Sequence, residues 1–233
     1  INRFNEVCNK AFQNNVKILI DAEEVSVQKA IDDLALKMMI KFNREKAIVY
    51  NTIQMYRWDR LDYMNNILNN HVGIIFGFKL VRGAYMEKER EIANRLKVKS
   101  PICIDKESTD INFNHAVDLV FKNLDRVSLV CGSHNETSIL KILNLMNEKN
   151  IDKNDDKIWF GQLYGMSDNI SFNLGIKGYN VFKILPEIND FLPAITANFI
   201  ASAISNGFFA FAIAVFIKTP SHPNSIAIAA SEA

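Results

Sequence analysis

Residues 77–90 read G-F-K-L-V-R-G-A-Y-M-E-K-E-R, an apolar run carrying Lys79 and Arg82 and closing on a glycine. Burying a charge is costly unless it is paired. Two cations here therefore call for a partner or a ligand. Similar polar residues punctuate the rest of the chain. Asp21 ends an apolar run at residues 16–20, and Gln54 lies just beyond one at 47–50. His134 and Asn135 follow residues 127–131, and Gln162 follows 157–160. A cationic, amide-rich cluster suits a flat polar heterocycle or a phosphate, and its donors would stabilise a reduced, anionic ring.

These residues need elements that bring them together. Helical spacing over residues 26–42 places Val27, Ile31, Leu34 and Met38 on a common stripe. Further helices are expected over 57–68, 87–96, 108–124, 136–148 and 169–174. Strands are expected over 16–20, 47–50, 78–81, 127–131, 157–160 and 181–185. Short Ile- and Val-rich strands alternating with helices describe a parallel sheet buried on both faces. Six such units fit most of a (β/α)8 barrel or a doubly wound sheet. No G-x-G-x-x-G follows the first strand, which weakens a dinucleotide fold. In a barrel, the polar residues at the C-terminal strand ends converge on one mouth.

Composition sets the outer bounds. The 233 residues are 48% hydrophobic and 23% charged, enough for a substantial core. A net charge of +1 without a long basic run argues against nucleic acid as a partner. Cys8, Cys103 and Cys131 are widely spaced, and the four histidines are scattered, so neither a disulfide framework nor a metal site is expected. The chain begins at Ile1 rather than Met, which reads as a fragment or a processed product. Residues 191–217 carry no charge and are long enough to span a bilayer.

Five ordered blocks resemble the proline dehydrogenase family in its eukaryotic mitochondrial branch. They are I-D-A-E-E at 20–24, N-T-I-Q at 51–54, F-K-L-V-R-G-A-Y-M-E-K-E-R at 78–90, S-H-N-E at 133–136 and F-G-Q-L-Y-G-M-S-D at 160–168, with G-Y-N-V-F-K at 178–183 continuing them. The resemblance covers roughly residues 1–193. It implies a TIM-type (β/α)8 barrel with FAD across its mouth, here incomplete, with about six of eight strands. It also implies oxidation of L-proline to Δ1-pyrroline-5-carboxylate, with electrons passed to a quinone at the mitochondrial inner membrane and peripheral attachment there. Carried over position by position, Lys79, Asp21 and Tyr85 match the catalytic residues. Asp21, Tyr85 and Leu163 match the substrate side. Gln54, Lys79, Val81, Arg82, Gly83, Ala84, His134, Asn135 and Gln162 match cofactor contacts, Gln162 only approximately.

Read without the resemblance, these residues admit other roles. Asp21 serves equally as a helix cap, Glu23 and Glu24 as solvated or capping residues, and Tyr85 as a packed aromatic. Lys79 could be a rim lysine or an aldolase-type Schiff-base lysine. A non-catalytic scaffold or membrane-attached relative is the second functional reading. Two departures from the family matter, and the missing carboxylate arginines support this second reading. The two N-terminal strands are missing, which should leave open sheet edges. Ile184 stands where a tyrosine is expected, and Ala197-Asn198 where paired arginines should clamp a carboxylate. From residue 194 the chain becomes a divergent apolar tail. Three readings stay open for it: a splice or frame error, a membrane-spanning or membrane-lying helix, or a diverged buried helix.

Overall fold

The computed structural model describes residues 2–185 and the backbone of two further strands, 213–217 and 225–230. Six strands, β1 (Ile18–Ile20), β2 (Val49–Gln54), β3 (Phe76–Val81), β4 (Val127–Gly132), β5 (Ile158–Leu163) and β6 (Val181–Leu185), pair in parallel in chain order. Between them run α2 (Val25–Phe42), α3 (Arg60–Asn70), α4 (Met86–Leu96), α5 (Lys106–Lys122), α6 (Glu136–Glu148) and α7 (Asp168–Ile176), with α1 (Asn2–Gln13) preceding β1. This is six of the eight staves of a TIM-type barrel. The strands β7 (Ile213–Ile217) and β8 (Ser225–Ala230) complete the ring. β8 runs parallel to β6, and β7 runs antiparallel to both β8 and β1.

The expected open edges are therefore absent: β1 pairs with β7 and β6 with β8. Part of the divergent tail is strand rather than helix. Among the described residues, no helix is long and apolar enough to cross a membrane. Residues 191–212, where a spanning or terminal helix was expected, lie outside the described residues, as do Ala197 and Asn198.

Alternation along each strand sorts its side chains into two layers, because successive residues of a strand point to opposite faces. Ile18, Ile20, Phe76, Phe78, Leu80, Leu129, Cys131, Ile158 and Phe160 join helix residues such as Ile31, Met38, Phe113 and Val117 in the outer core. Leu19, Tyr50, Val130, Trp159 and Phe182 form a second, inner cluster. α5 buries seven residues against this scaffold, whereas α4 buries only Glu89 and Ala93. α5 is thus the packed crossover helix between β3 and β4, and α4 is a peripheral excursion ahead of it.

The inner cluster depends on small residues beside large ones. A Cβ on Gly161 would stand 2.5 Å from Phe182 Cζ. Extra volume in a filled core forces shifts costing about 1–3 kcal/mol. Gly161→Ala should therefore lower stability by about that amount. Urea unfolding followed by circular dichroism would read it as a lower midpoint at unchanged slope.

Candidate active site

The C-terminal strand ends open onto a cleft of about 630 Å³. That volume suits a small molecule or cofactor. Asp21, Gln54, Lys79, Val81, Arg82, Gly83, Ala84, Tyr85, His134, Asn135 and Leu163 all line it. The strand register explains why. Thr52 aligns with Lys79 and Gln54 with Val81 across β2 and β3, so inward residues of neighbouring strands stack at one height.

Lys79 is 6% exposed, and its Nζ donates to Asp21 Oδ1 in an ion pair. Thr52 Oγ1 also approaches Asp21 Oδ1, at 3.3 Å. The lysine is thus neither a rim residue nor an unpaired charge. Tyr85 Oη donates to Glu23 Oε2 at 2.7 Å. Burial, followed by that bond to a carboxylate, raises the tyrosine pKa well above its ordinary value, so the hydroxyl stays protonated. Gln54 is 3% exposed, and its Oε1 has no hydrogen-bond partner. An orphaned buried acceptor facing a cleft fits an N–H donor on a ligand.

Other residues are committed to the protein. Arg82 Nε donates to Asp110 at 2.7 Å, Nη1 to Ser133 Oγ at 2.8 Å and Nη2 to Ser138 Oγ at 3.1 Å. Its guanidinium also lies 4.7 Å from the Phe113 ring centroid. It therefore clamps β3 to α5, α6 and the loop after β4. Asn135 caps α6, its Oδ1 accepting from Ser138 N at 3.0 Å. This leaves the amide nitrogen for other contacts. His134 Nδ1 lies 2.9 Å from Ser167 Oγ.

Gln162 stands apart from the residues that line the cleft. It is 0% exposed, its Nε2 donates to Ser133 O at 3.2 Å, and its Oε1 accepts from Ser171 at 2.8 Å. It shares the outward face of β5 with Ile158 and Phe160, so it supports the wall rather than facing the cleft. Gly161 and Leu163, on the inward face, line the cleft instead.

Sequence reasoning passed over Thr52, Glu23 and Ser133. Thr52 was accessible, since alternation puts it on the same face as Gln54. Glu23, expected as a solvated or capping residue, receives the Tyr85 hydroxyl and lines the cleft. Its backbone is set by a buried relay that no motif signals. Glu23 N donates to Gln28 Oε1 at 2.8 Å, and Gln28 Nε2 donates to Asp32 Oδ1 at 2.9 Å. Asp32 also accepts from Asn51 Nδ2 at 2.9 Å and from Arg60 Nη1 at 2.6 Å.

The backbone after β3 completes the wall. Gly83 has φ +130°, and a Cβ there would stand 2.5 Å from the Tyr56 ring. Only glycine suits both constraints. Gly132 and Gly161 likewise present no side chain to the cleft, so a flat ring could approach backbone there.

A family model described as "Proline dehydrogenase" matches residues 2–192. The chain is 36% identical over 192 residues to "Hydroxyproline dehydrogenase" of Xenopus laevis, covering 80% of this chain and 41% of that protein. It is 39% identical over 202 residues to "Proline dehydrogenase 1, mitochondrial" of Arabidopsis thaliana, covering 84% and 40%. The chain thus spans well under half the length of these relatives. Among solved structures, proline utilization A (PutA) from Bdellovibrio bacteriovorus superposes with a TM-score of 0.65 at 22% identity, over 71% of this chain and 17% of that one. That likeness is one of fold.

Two measurements test the site's construction. Asp32→Ala would take one of two carboxylates from the buried Arg60 guanidinium, which keeps Asp59, and would leave the Gln28 and Asn51 amide nitrogens without this acceptor, at a cost of about 1–3 kcal/mol. Chemical denaturation should show a loss of that order, and a loss below about 1 kcal/mol would remove the relay from the site's support. Burial, and next the positive charge of Lys183, push the His134 pKa below its ordinary value of 6.5. The unfolded chain then takes up this proton first as pH falls. Stability should decline as pH drops from about 6.5 toward the folded value. His134→Gln should flatten that part of the stability–pH curve.

Proposed function

The chain belongs to the proline dehydrogenase family, and we propose that it forms the catalytic barrel of an FAD-dependent enzyme oxidising L-proline to Δ1-pyrroline-5-carboxylate. Electrons would leave to the respiratory quinone pool at the mitochondrial inner membrane. Relatives named as mitochondrial support that location. The observation that carries the reading is the convergence of the Lys79–Asp21 pair and the unpartnered Gln54 carbonyl in one cleft.

The donor and acceptor set fits a flavin. FAD, when bound, supplies the two-electron acceptor that takes a hydride from the ring carbon beside the proline nitrogen. Gln54 would accept a hydrogen bond from the ring system. Val81, Gly83 and Ala84 would offer their backbone, and His134 and Asn135 would meet the cofactor near the start of α6. Arg82 would act mainly by holding these segments in register, since its guanidinium is already occupied. Lys79, fixed by Asp21, places a positive charge where electron density accumulates in the transition state. Tyr85 and Glu23 hold the wall beside Asp21, and Leu163 offers an apolar edge to the substrate ring. The ring nitrogen must lose its proton before hydride leaves, so turnover rises with pH.

The second reading is a relative that binds flavin without turnover, and Ile184 favours it. It lines the cleft with an apolar surface where the family resemblance implies a tyrosine.

Recording the visible spectrum of the purified chain before and after L-proline separates the two readings. A flavin band that bleaches supports the enzyme, with a rate that climbs from pH 6 to 9. Lys79→Met should slow bleaching by about 100-fold, the scale of one lost electrostatic donor. A band that persists would support the flavin-binding relative.

A further inference from the structure

One surface of the barrel is unlike the rest. The segment 94–104, N-R-L-K-V-K-S-P-I-C-I, closes α4 and leads on toward α5. It contains Arg95, Lys97 and Lys99 and no acidic residue. Residues 94–99 are all exposed. Leu96, Val98 and Ile104 are 62%, 59% and 85% exposed, and Trp58 beside them is 49% exposed. Lys99 Nζ lies 4.3 Å from the Trp58 ring centroid, and Trp58 Nε1 donates to Ser100 O at 3.0 Å.

This is not a loose loop. Trp58 N donates to Pro101 O and Cys103 N to Tyr56 O, and Arg57 bridges Ile102. Arg90 Nη2 donates to the carbonyls of Cys103 and Ile104 at 2.9 and 3.0 Å. Asn112 fastens the Met55 and Arg57 carbonyls from below at 2.7 and 2.9 Å. The segment is thereby tied to the loop just past the C-terminal end of β2, and Lys106, which follows it, lines the cleft. The apolar side chains are thus held outward on the same end of the barrel as the mouth.

We propose that this rim, formed by Trp58, Leu96, Lys97, Val98, Lys99 and Ile104, docks the barrel mouth-first on an anionic lipid surface. Exposed Leu, Val, Ile and Trp would enter the headgroup boundary, where an indole ring favours the interface. The lysine stems can lie along these apolar groups while their ammonium heads meet lipid phosphates. The net cationic, acid-free run complements anionic headgroups. A protein partner fits less well, because lysine is depleted at protein interfaces. Single-stranded nucleic acid fits less well too, because Trp58 is the one aromatic among these rim residues and Lys99 already lies over its ring, so successive bases would find no row of rings to stack on. The inference deepens the reading that electrons leave at a membrane.

Vesicle sedimentation tests it without flavin or proline, so its failure and the failure of the proposed chemistry are separate results. The full chain would be mixed with vesicles of phosphatidylcholine alone and of three parts phosphatidylcholine to one part phosphatidylglycerol. Binding to the anionic vesicles is expected to exceed binding to the neutral ones. It should be accompanied by a blue shift in tryptophan emission that Trp58→Phe abolishes, since the other tryptophan, Trp159, is buried. Lys97→Gln/Lys99→Gln should weaken binding by about 25-fold, some fivefold per lysine. Ile104→Ser should weaken it independently of charge, and circular dichroism should show both variants folded. Absence of vesicle binding, equal binding to both vesicle types, or binding that survives both variants would overturn the proposal. Specific binding of a protein partner through this rim in place of vesicles would also overturn it.

Discussion

A lysine inside a barrel has to be held by an opposite charge, and the pair of Lys79 with Asp21 is the constraint around which the mouth is arranged. The two residues lie on β3 and in the loop after β1, with β2 between them. Their meeting requires all three strands in parallel register, so that the inward residues of β2 and β3 stand level. A one-residue slip would turn Lys79 out into the apolar outer core and bring Leu80 into the cleft. The cost of an unpaired buried ammonium therefore enforces the register that the apolar strands alone would specify less tightly.

The loop that carries Asp21 is itself held from behind. Asp32 on α2 gathers Gln28, Asn51 and Arg60, and Gln28 passes that order to the backbone of Glu23. A buried ionic cluster is a weak source of net stability, because desolvation offsets most of the attraction. Its directional bonds instead define where the β1–α2 loop stands. The same loop meets α4 through Tyr85 to Glu23, Lys88 to Glu24 and Val25 N to Glu89. The helix between β3 and the rim is thus connected to the mouth mainly by polar contacts, which explains how so lightly buried an element keeps a defined place.

Much of this could be seen in the residues. The apolar runs located all six parallel strands and the helices between them, with ends off by a few residues. β2, for example, extends to Gln54 rather than ending at Tyr50, because Asn51 and Thr52 look like loop residues until their burial is known. Polar residues near the strand ends marked the mouth, since strand direction alone brings those ends together. Gln162 shares the parity of Phe160, so the two-residue period of a strand turns it from the cleft, where the motif match had placed it only approximately. Glu23 and Asp32 were illegible for another reason. Their partners are 62 and 28 residues away, on Tyr85 and Arg60, and a carboxylate on a helix or a loop looks solvated until the tertiary fold buries it. The ring closure by β7 and β8 was hidden as well, since a charge-free apolar tail does not by itself distinguish a strand from a helix.

The floor of the barrel explains why the chemistry is confined to its upper layer. Tyr50, Trp159 and Phe182 fill the interior below the mouth, over Gly77 and Gly161, where any Cβ would collide with Tyr50 and Phe182. Among the described residues, this inner cluster is built of apolar and aromatic side chains. A ligand entering from the C-terminal end would meet Gln54 and, in the layer below it, Lys79 and Thr52, which offer charge and hydrogen bonds. A planar ring resting on that layer would have an apolar floor beneath it and the Lys79 ammonium close by. Such an arrangement would exclude water from one face of the ring and leave the other open. Large-beside-small packing deep in the barrel and polar pairing at its rim are therefore one design: the first sets the depth of the cleft, and the second sets what the cleft can hold.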